Sequence, residues 1–212
     1  MKILVTGFNS FKGVRENPSE QVVRALAGRQ RNNFSAELVT AILPTEYVAA
    51  TRRLRRLIRS ERPDAVLCLG VAPRRESISL ERVALNLDDD PTADNAGVIR
   101  RGCKIAAAGP DVYWSSLPLE VFEKRLRRRG IKTLVSNHAG TFLCNHAFYV
   151  ARQETTRAGH GIPCGFIHLP GIGRSKSNRA RSLNRMIRAV ECCVNVLGQG
   201  ALRKKSGRTP AG

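Results

Sequence analysis

The chain has 212 residues, a length that one α/β domain can fill, with 42% hydrophobic and 25% charged residues, a balance that excludes wholesale disorder. No apolar run reaches the roughly 18 residues a membrane-spanning helix needs, and the opening MKILVTGF is broken by glycine too early for a signal peptide, so a cytoplasmic protein is expected. Lys and Arg number 36 against 17 Asp and Glu, a formal net charge of +19, which brings polyanions into consideration. The arginines gather on helix faces and in the tail RKKSGRTPAG, without RNP aromatics, zinc-finger spacing or a glycine-rich KH loop. That pattern reads as a solvated basic surface and argues against nucleic acid as a partner.

In chain order, KILVTGF (2–8) reads as a buried strand. Asn17-Pro18 then opens a helix, with Asn as cap, Pro at the first helical position and Glu20 at the capping-box position. ELVTAILP (37–44) is a second strand, and residues 47–62 a helix with Leu54, Leu57 and Ile58 on one face. DAVLCLG (64–70) is a fully apolar strand of the kind found inside parallel sheets. SLERVALNL (79–87) alternates like a strand, and DDDPTADNAGV reads as a long polar loop. A helix over 118–130, a strand over 132–137, a helix over 141–159, a strand over 164–170 and a helix over 178–198 complete the pattern. Alternating strands and helices predict one α/β domain, a mixed or parallel twisted sheet with helices on both faces. That domain is expected to span residues 1–200, with 201–212 a disordered basic tail.

Ligands in open α/β sheets bind beyond the carboxyl ends of the strands. If 132–137, 141–159 and 164–170 form a βαβ unit, its crossover brings Cys144, in the first helical turn, and His168, near the end of the next strand, to one sheet edge. A thiol at a helix N-terminus is favoured as thiolate, and a neighbouring imidazole adds to this. Backbone N–H groups around Thr141, Phe142, Leu143 and Cys144 are candidate oxyanion donors. The competing reading is a buried cysteine and a structurally satisfied histidine.

Other pairings are weaker. His146 points to the opposite side of the helix from Cys144, His138 is an alternative base at a strand end, and His160 lies in a polar loop. No spacing suits a metal site. The six cysteines form no CxxC pair and are read mostly as small buried hydrophobes rather than a disulfide framework. Glu81, in the apolar context ISLERVALN, is the acid best placed to orient an imidazole, since an unpaired carboxylate there would be costly to bury. The alternative is a surface glutamate paired with Arg82 or Arg75.

These same residues carry a family resemblance. SNHAGTFLCNHAFY resembles the SAGTYxCN signature of the pyroglutamyl peptidase I (pyrrolidone-carboxylate peptidase) family, and GFIHLP its histidine block. ISLERVALNLDD…DNAG resembles its glutamate block, and ILVTGFNSFKGVRENPSE its TGFxPFGG…NPS opening. The resemblance implies removal of N-terminal pyroglutamate from peptides by a Glu–Cys–His triad of Glu81, Cys144 and His168, without a cofactor, in a homo-oligomer, often a tetramer. It also implies a pyrrolidone pocket made by Phe8, Phe11, Phe142 and Leu143, with Val71 beside it and Asn17 supporting the pocket loop. An uncharged lactam suits apolar walls and backbone hydrogen bonds and needs no acidic receptor.

The sequence also departs from the family. Where the family has GQAGGR, this chain has Gly70-Val71-Ala72-Pro73-Arg74-Arg75, and the family arginine after NxDD falls at Pro91. Proline and arginine lack glycine's backbone freedom. Two alternatives therefore stand beside the peptidase reading: a same-fold cysteine hydrolase with altered acyl or lactam specificity, and a non-enzymatic basic polyanion-binding protein.

Overall fold

The structure, a computed structural model, describes residues 1–206 apart from Lys12, Arg15, 30–33, 158–160 and 173–174, and gives the backbone alone for Lys176 and 200–206. His160 and the tail residues 207–212 lie outside the described residues. β1 (Lys2–Phe8) shows how the layers arise. Successive strand residues face opposite sides, so Ile3 and Val5 enter one apolar cluster while Leu4 and Phe8 enter the other. α1 (Pro18–Gly28) follows, then β2 (Glu37–Leu43), α2 (Tyr47–Glu61) and β3 (Ala65–Ala72).

Asn17 caps α1 through Ser19 N at 3.0 Å, but the expected capping box does not close. Glu20 turns along the helix to Arg24 instead, at 2.7 Å, a pair that its four-residue spacing favours. α2 stops at Arg62, which takes a left-handed φ of 45° ahead of Pro63.

The alternating run 79–87 is two strands. β4 (Ile78–Glu81) joins the main sheet, while β5 (Val83–Leu85) pairs with β8 (Val112–Trp114) in a separate ribbon. Arg82 marks the handover: its N–H bonds Ser136 O, and its carbonyl accepts from Ser115 N, both at 2.8 Å. The expected polar loop also holds structure, since β6 (Asp88–Asp90) pairs antiparallel with β7 (Arg100–Cys103). Neither strand has an apolar face, so hydrophobic alternation gives no sign of them.

α3 (Leu119–Arg127), β9 (Thr133–Ser136), α4 (Leu143–Arg157), β10 (Cys164–Pro170) and α5 (Lys176–Ser206) complete the chain. α5 takes in residues 201–206 and is longer than its apolar periodicity over 178–198 predicts. The main sheet has strand order β2-β1-β3-β10-β4-β9. One cluster packs α1, α3 and α5 on one face, and the other packs α2 and α4 on the opposite face. The result is the expected α/β domain with a mixed sheet covered on both sides.

The expected βαβ unit does not form. β4 runs antiparallel to β10 and β9 parallel to β4, so β9 opposes β10 and no simple crossover links them. Cys144 reaches the carboxyl end of β3 and β10 through residues 137–142, which separate β9 from α4, and not through a parallel exit.

Candidate active site

Pleat alternation selects the side chains that face α4. In β10, Ile167 and Leu169 belong to the α1/α5 cluster, while Cys164 and Phe166 face α4, and His168 continues that second series. In β4, Ile78 and Leu80 face α5, so Ser79 and Glu81 face α4. Register places Phe166 opposite Glu81 and His168 opposite Ser79. The histidine and the glutamate are thus diagonal neighbours on one sheet face. His168 Nδ1 lies 2.7 Å from Glu81 Oε1, and both residues are buried.

The same Glu81 oxygen accepts from Arg75 Nη1 at 2.5 Å. Pro73 and Arg74 form a turn closed by Arg75 N and Ala72 O at 2.9 Å, and this turn delivers the guanidinium. Glu81 thus contacts both the imidazole and Arg75, and it does so from a fully buried position rather than from the surface that the alternative reading expects. Glu81 Oε2 is buried without a hydrogen-bond partner among the described residues.

Cys144 is the second residue of α4. Its sulfur rests on Gly70, where a Cβ would stand 2.7 Å from Sγ and 2.7 Å from Phe166 Cζ. Gly70 is the β3 partner of His168, which sets the thiol beside the imidazole. Glu81 occupies Nδ1, so Nε2 is the nitrogen left to face the sulfur. Burial works against a charged ring here, but the neighbouring Cys144 and Glu81 outweigh that penalty and raise the His168 pKa to about 9.

The first turn of α4 is fixed from below. Asn145, fully buried, accepts from Leu85 N at 2.8 Å and donates to Leu85 O and Leu87 O, each at 2.9 Å. Thr141 and Asp89 are joined by two further bonds, at 2.7 and 3.0 Å. The His146 N–H is taken by Phe142 O at 3.0 Å, but the N–H groups of Leu143 and Cys144 have no carbonyl one turn back within the helix and face the site as donors for a developing negative charge.

A profile of pyroglutamyl peptidase matches residues 1–199. The chain belongs to the pyroglutamyl peptidase family. Its relatives include the pyrrolidone-carboxylate peptidase of Bacillus licheniformis, 40% identical over 211 residues, or 97% of each chain. Among solved structures, pyroglutamyl peptidase I of Bacillus amyloliquefaciens has a TM-score of 0.85 at 35% identity, over 92% of this chain and 96% of that one. The pyrrolidone carboxyl peptidase of Thermococcus litoralis has a TM-score of 0.87 at 29% identity, over 100% and 99%.

The other expected pocket positions of this pyroglutamyl peptidase family member are distributed unevenly. Phe8, Phe142, Leu143 and Cys144 share one apolar cluster, with Leu143 buried in it and Phe142 edge-on to Tyr47 at 5.7 Å. Phe11 is half-buried in the following loop, bridged to Val14. Asn17 both caps α1 and donates to Asn9 O at 2.9 Å, which supports the loop leading to Phe11. Val71 falls in the alternation of Leu67 and Leu69, so its side chain lies on the far face of the sheet from the thiol.

His138 is exposed and accepts from Gly140 N at 3.2 Å. His146 faces away from Cys144, between Asp88 at 2.8 Å and Thr51 at 2.6 Å. Asp94 is occupied with the N–H groups of Tyr47, Ala96 and Val98. Sequence patterns single out neither Gly70 nor Asn145. Asn145 carries one signal, its place directly after Cys144 in the stretch that resembles the SAGTYxCN signature. Among the described residues no three His, Cys, Asp or Glu side chains cluster as metal ligands, and no helix is long and apolar enough to cross a membrane.

Proposed function

We propose that the chain cleaves the amide bond that follows an N-terminal pyroglutamate (5-oxoproline), with Cys144 as nucleophile. The observation that carries this reading is the Cys144 sulfur set over Gly70, the strand partner of His168, with Glu81 Oε1 2.7 Å from the ring's Nδ1, in a chain of this family. The Cys144 thiolate attacks the pyroglutamyl carbonyl carbon, and the oxyanion takes hydrogen bonds from the leading N–H groups of α4. The His168 imidazolium gives its Nε2 proton to the leaving amine, which departs and leaves a 5-oxoprolyl thioester. Water, deprotonated by His168, then hydrolyses the thioester and restores the thiol. Glu81 holds Nδ1–H throughout and stabilises the charged ring. Phe8, Phe11 and Phe142 supply apolar walls that suit a lactam and reject an ammonium group.

Release of a fluorogenic amine from a pyroglutamyl amide tests the reading. Activity abolished by iodoacetamide and by Cys144→Ser is expected, because a serine hydroxyl is a far weaker nucleophile than a thiolate. Full turnover in the serine variant would overturn the mechanism. Prolyl and glutamyl amides should be poor substrates, and equal rates on the prolyl compound would favour the altered-specificity reading that the changed 70–75 loop and Pro91 suggest. A cytoplasmic location and a homo-oligomer go with the proposal, the latter checked by light scattering of the purified chain.

A further inference from the structure

A cavity of about 840 Å³ lies along α2 and includes none of Cys144, His168 and Glu81 among its lining residues. Five arginines line it: Arg52, Arg55, Arg56 and Arg59 from α2, and Arg100 from β7. The four on α2 follow the three- and four-residue spacing of one helical face, while Leu54 and Ile58 take the buried face.

Their charges are only partly compensated. Arg55 and Arg59 share the buried Glu154, at 3.1 and 2.9 Å, and Arg100 pairs with Asp88 at 2.8 Å. Five cations less two carboxylates leave an excess of 5 − 2 = 3 positive charges on the groove. Arg52 and Arg56 are exposed, with no side-chain hydrogen bond or ion pair among the described residues. Like charges at this spacing repel one another and weaken the helix unless an anion lies across them. The Tyr47 end is different in sign, since Asp88, Asp90 and Asp94 stand near its ring. Tyr47 Oη is buried there without a partner among the described residues. Val48, Ile105 and Val150 add an apolar part to the lining.

We propose that this groove binds an elongated anion carrying several phosphate groups, seated on Arg52, Arg55, Arg56 and Arg59. A guanidinium presents a planar fork that matches two phosphate oxygens at once, and four such forks on successive turns suit phosphates joined in a row. Isolated monoanions would leave most of them unused. A second copy of the chain does not fit, because it would bring the same four cations face to face. The phosphates belong either to an inorganic polyphosphate or to a nucleoside triphosphate, whose base would use the apolar part of the groove.

Titration calorimetry with tripolyphosphate and with ATP, near physiological ionic strength, tests the site. Saturable binding of one anion per chain is expected, weakened at least about tenfold in Arg52→Gln/Arg56→Gln, since two charge-assisted contacts to phosphate are lost. A control pair at the end of α3, Arg125→Gln/Arg128→Gln, removes the same charge from exposed positions and should bind as the wild type does. Tighter binding of ATP than of tripolyphosphate assigns the apolar part to a base; equal or weaker binding assigns the site to the phosphate chain alone. Both outcomes support the site. Equal loss in the two double variants would reduce it to a diffuse surface field and overturn the proposal. So would the absence of saturable binding, or saturable binding of an oligonucleotide alone. A thermal melt of each variant, unchanged from wild type, shows that lost binding is not lost folding.

Discussion

At position 70 the hydrogen of glycine occupies the space where a Cβ would meet the Cys144 sulfur and Phe166 Cζ, each at 2.7 Å. Neither neighbour can yield freely, because Phe166 is fully buried and the sulfur is held in the first turn of α4. Gly70→Ala should therefore displace the thiol from the imidazole and lower turnover by roughly 10²-fold, the loss typical of a 1 Å misplacement. Substrate binding and the circular dichroism spectrum should change little. The His168 pKa, about 9, lies above the ordinary histidine value near 6.5. A raised folded-state value contributes stability that is complete below about pH 6.5 and is lost as pH rises through about 9. Activity should fall across that same upper limb as the ring ceases to be a proton donor. Cys144→Ser removes the largest raising influence on the ring, so NMR titration should find a lower His168 pKa in that variant. A value unchanged near 9 would deny the sulfur–imidazole contact. Glu81→Gln should reduce kcat with KM nearly constant, and by less than His168→Ala, because an amide can hold the ring but cannot balance its charge.

The elements divide by how their sequence advertises them. β1, β3 and β10 are nearly continuous apolar runs bounded by polar residues, and the buried faces of α1 and α2 repeat at helical spacing, so all five are legible from residue order alone. Cys144 and His168 are legible for the same reason, since both sit where a recognisable strand or helix begins or ends. The direction of β9 is not legible: it opposes β10, and no single-strand pattern encodes the direction of a neighbour. The β4–β5 break is hidden because a strand that changes partners at Arg82 keeps its alternation. β6 and β7 are hidden because their pairing is between polar strands, held by backbone bonds and by the Asp88–Arg100 ion pair. Asn145 is the link between these obscure strands and the visible helix. Asn145→Ala leaves the backbone groups of Leu85 and Leu87 unpaired in a buried place, which should cost about 3 kcal/mol. Chemical denaturation measures this, and a change under about 0.5 kcal/mol would mean that water replaces the amide.

Across the whole molecule the cysteines report on packing. All six are free; Cys103 is exposed, Cys144 half-buried and the other four buried. Burial also pushes the Cys164 thiol up to about 11 and Cys68 and Cys193 well above the ordinary range, so these three are protonated as well as shielded. Iodoacetamide should label Cys144 and Cys103 in the native protein and reach the remaining four only when the domain opens. Peptide mass mapping distinguishes this from labelling of all six together.

The sheet order has a consequence for how the chain is made. β10 is the last strand among the described residues, yet it lies between β3 and β4 and joins β2-β1-β3 to β4-β9. A nascent chain that has not yet emitted residues 164–170 therefore holds two half-sheets with apolar edges and no ladder between them. It has a thiol and a carboxylate, but the imidazole that couples them arrives on the same strand that closes the sheet. On the proposed mechanism such unfinished chains are inert as peptidases, and their open edges make them liable to stick to one another. Competence and solubility arrive together, late in synthesis, when one segment is inserted.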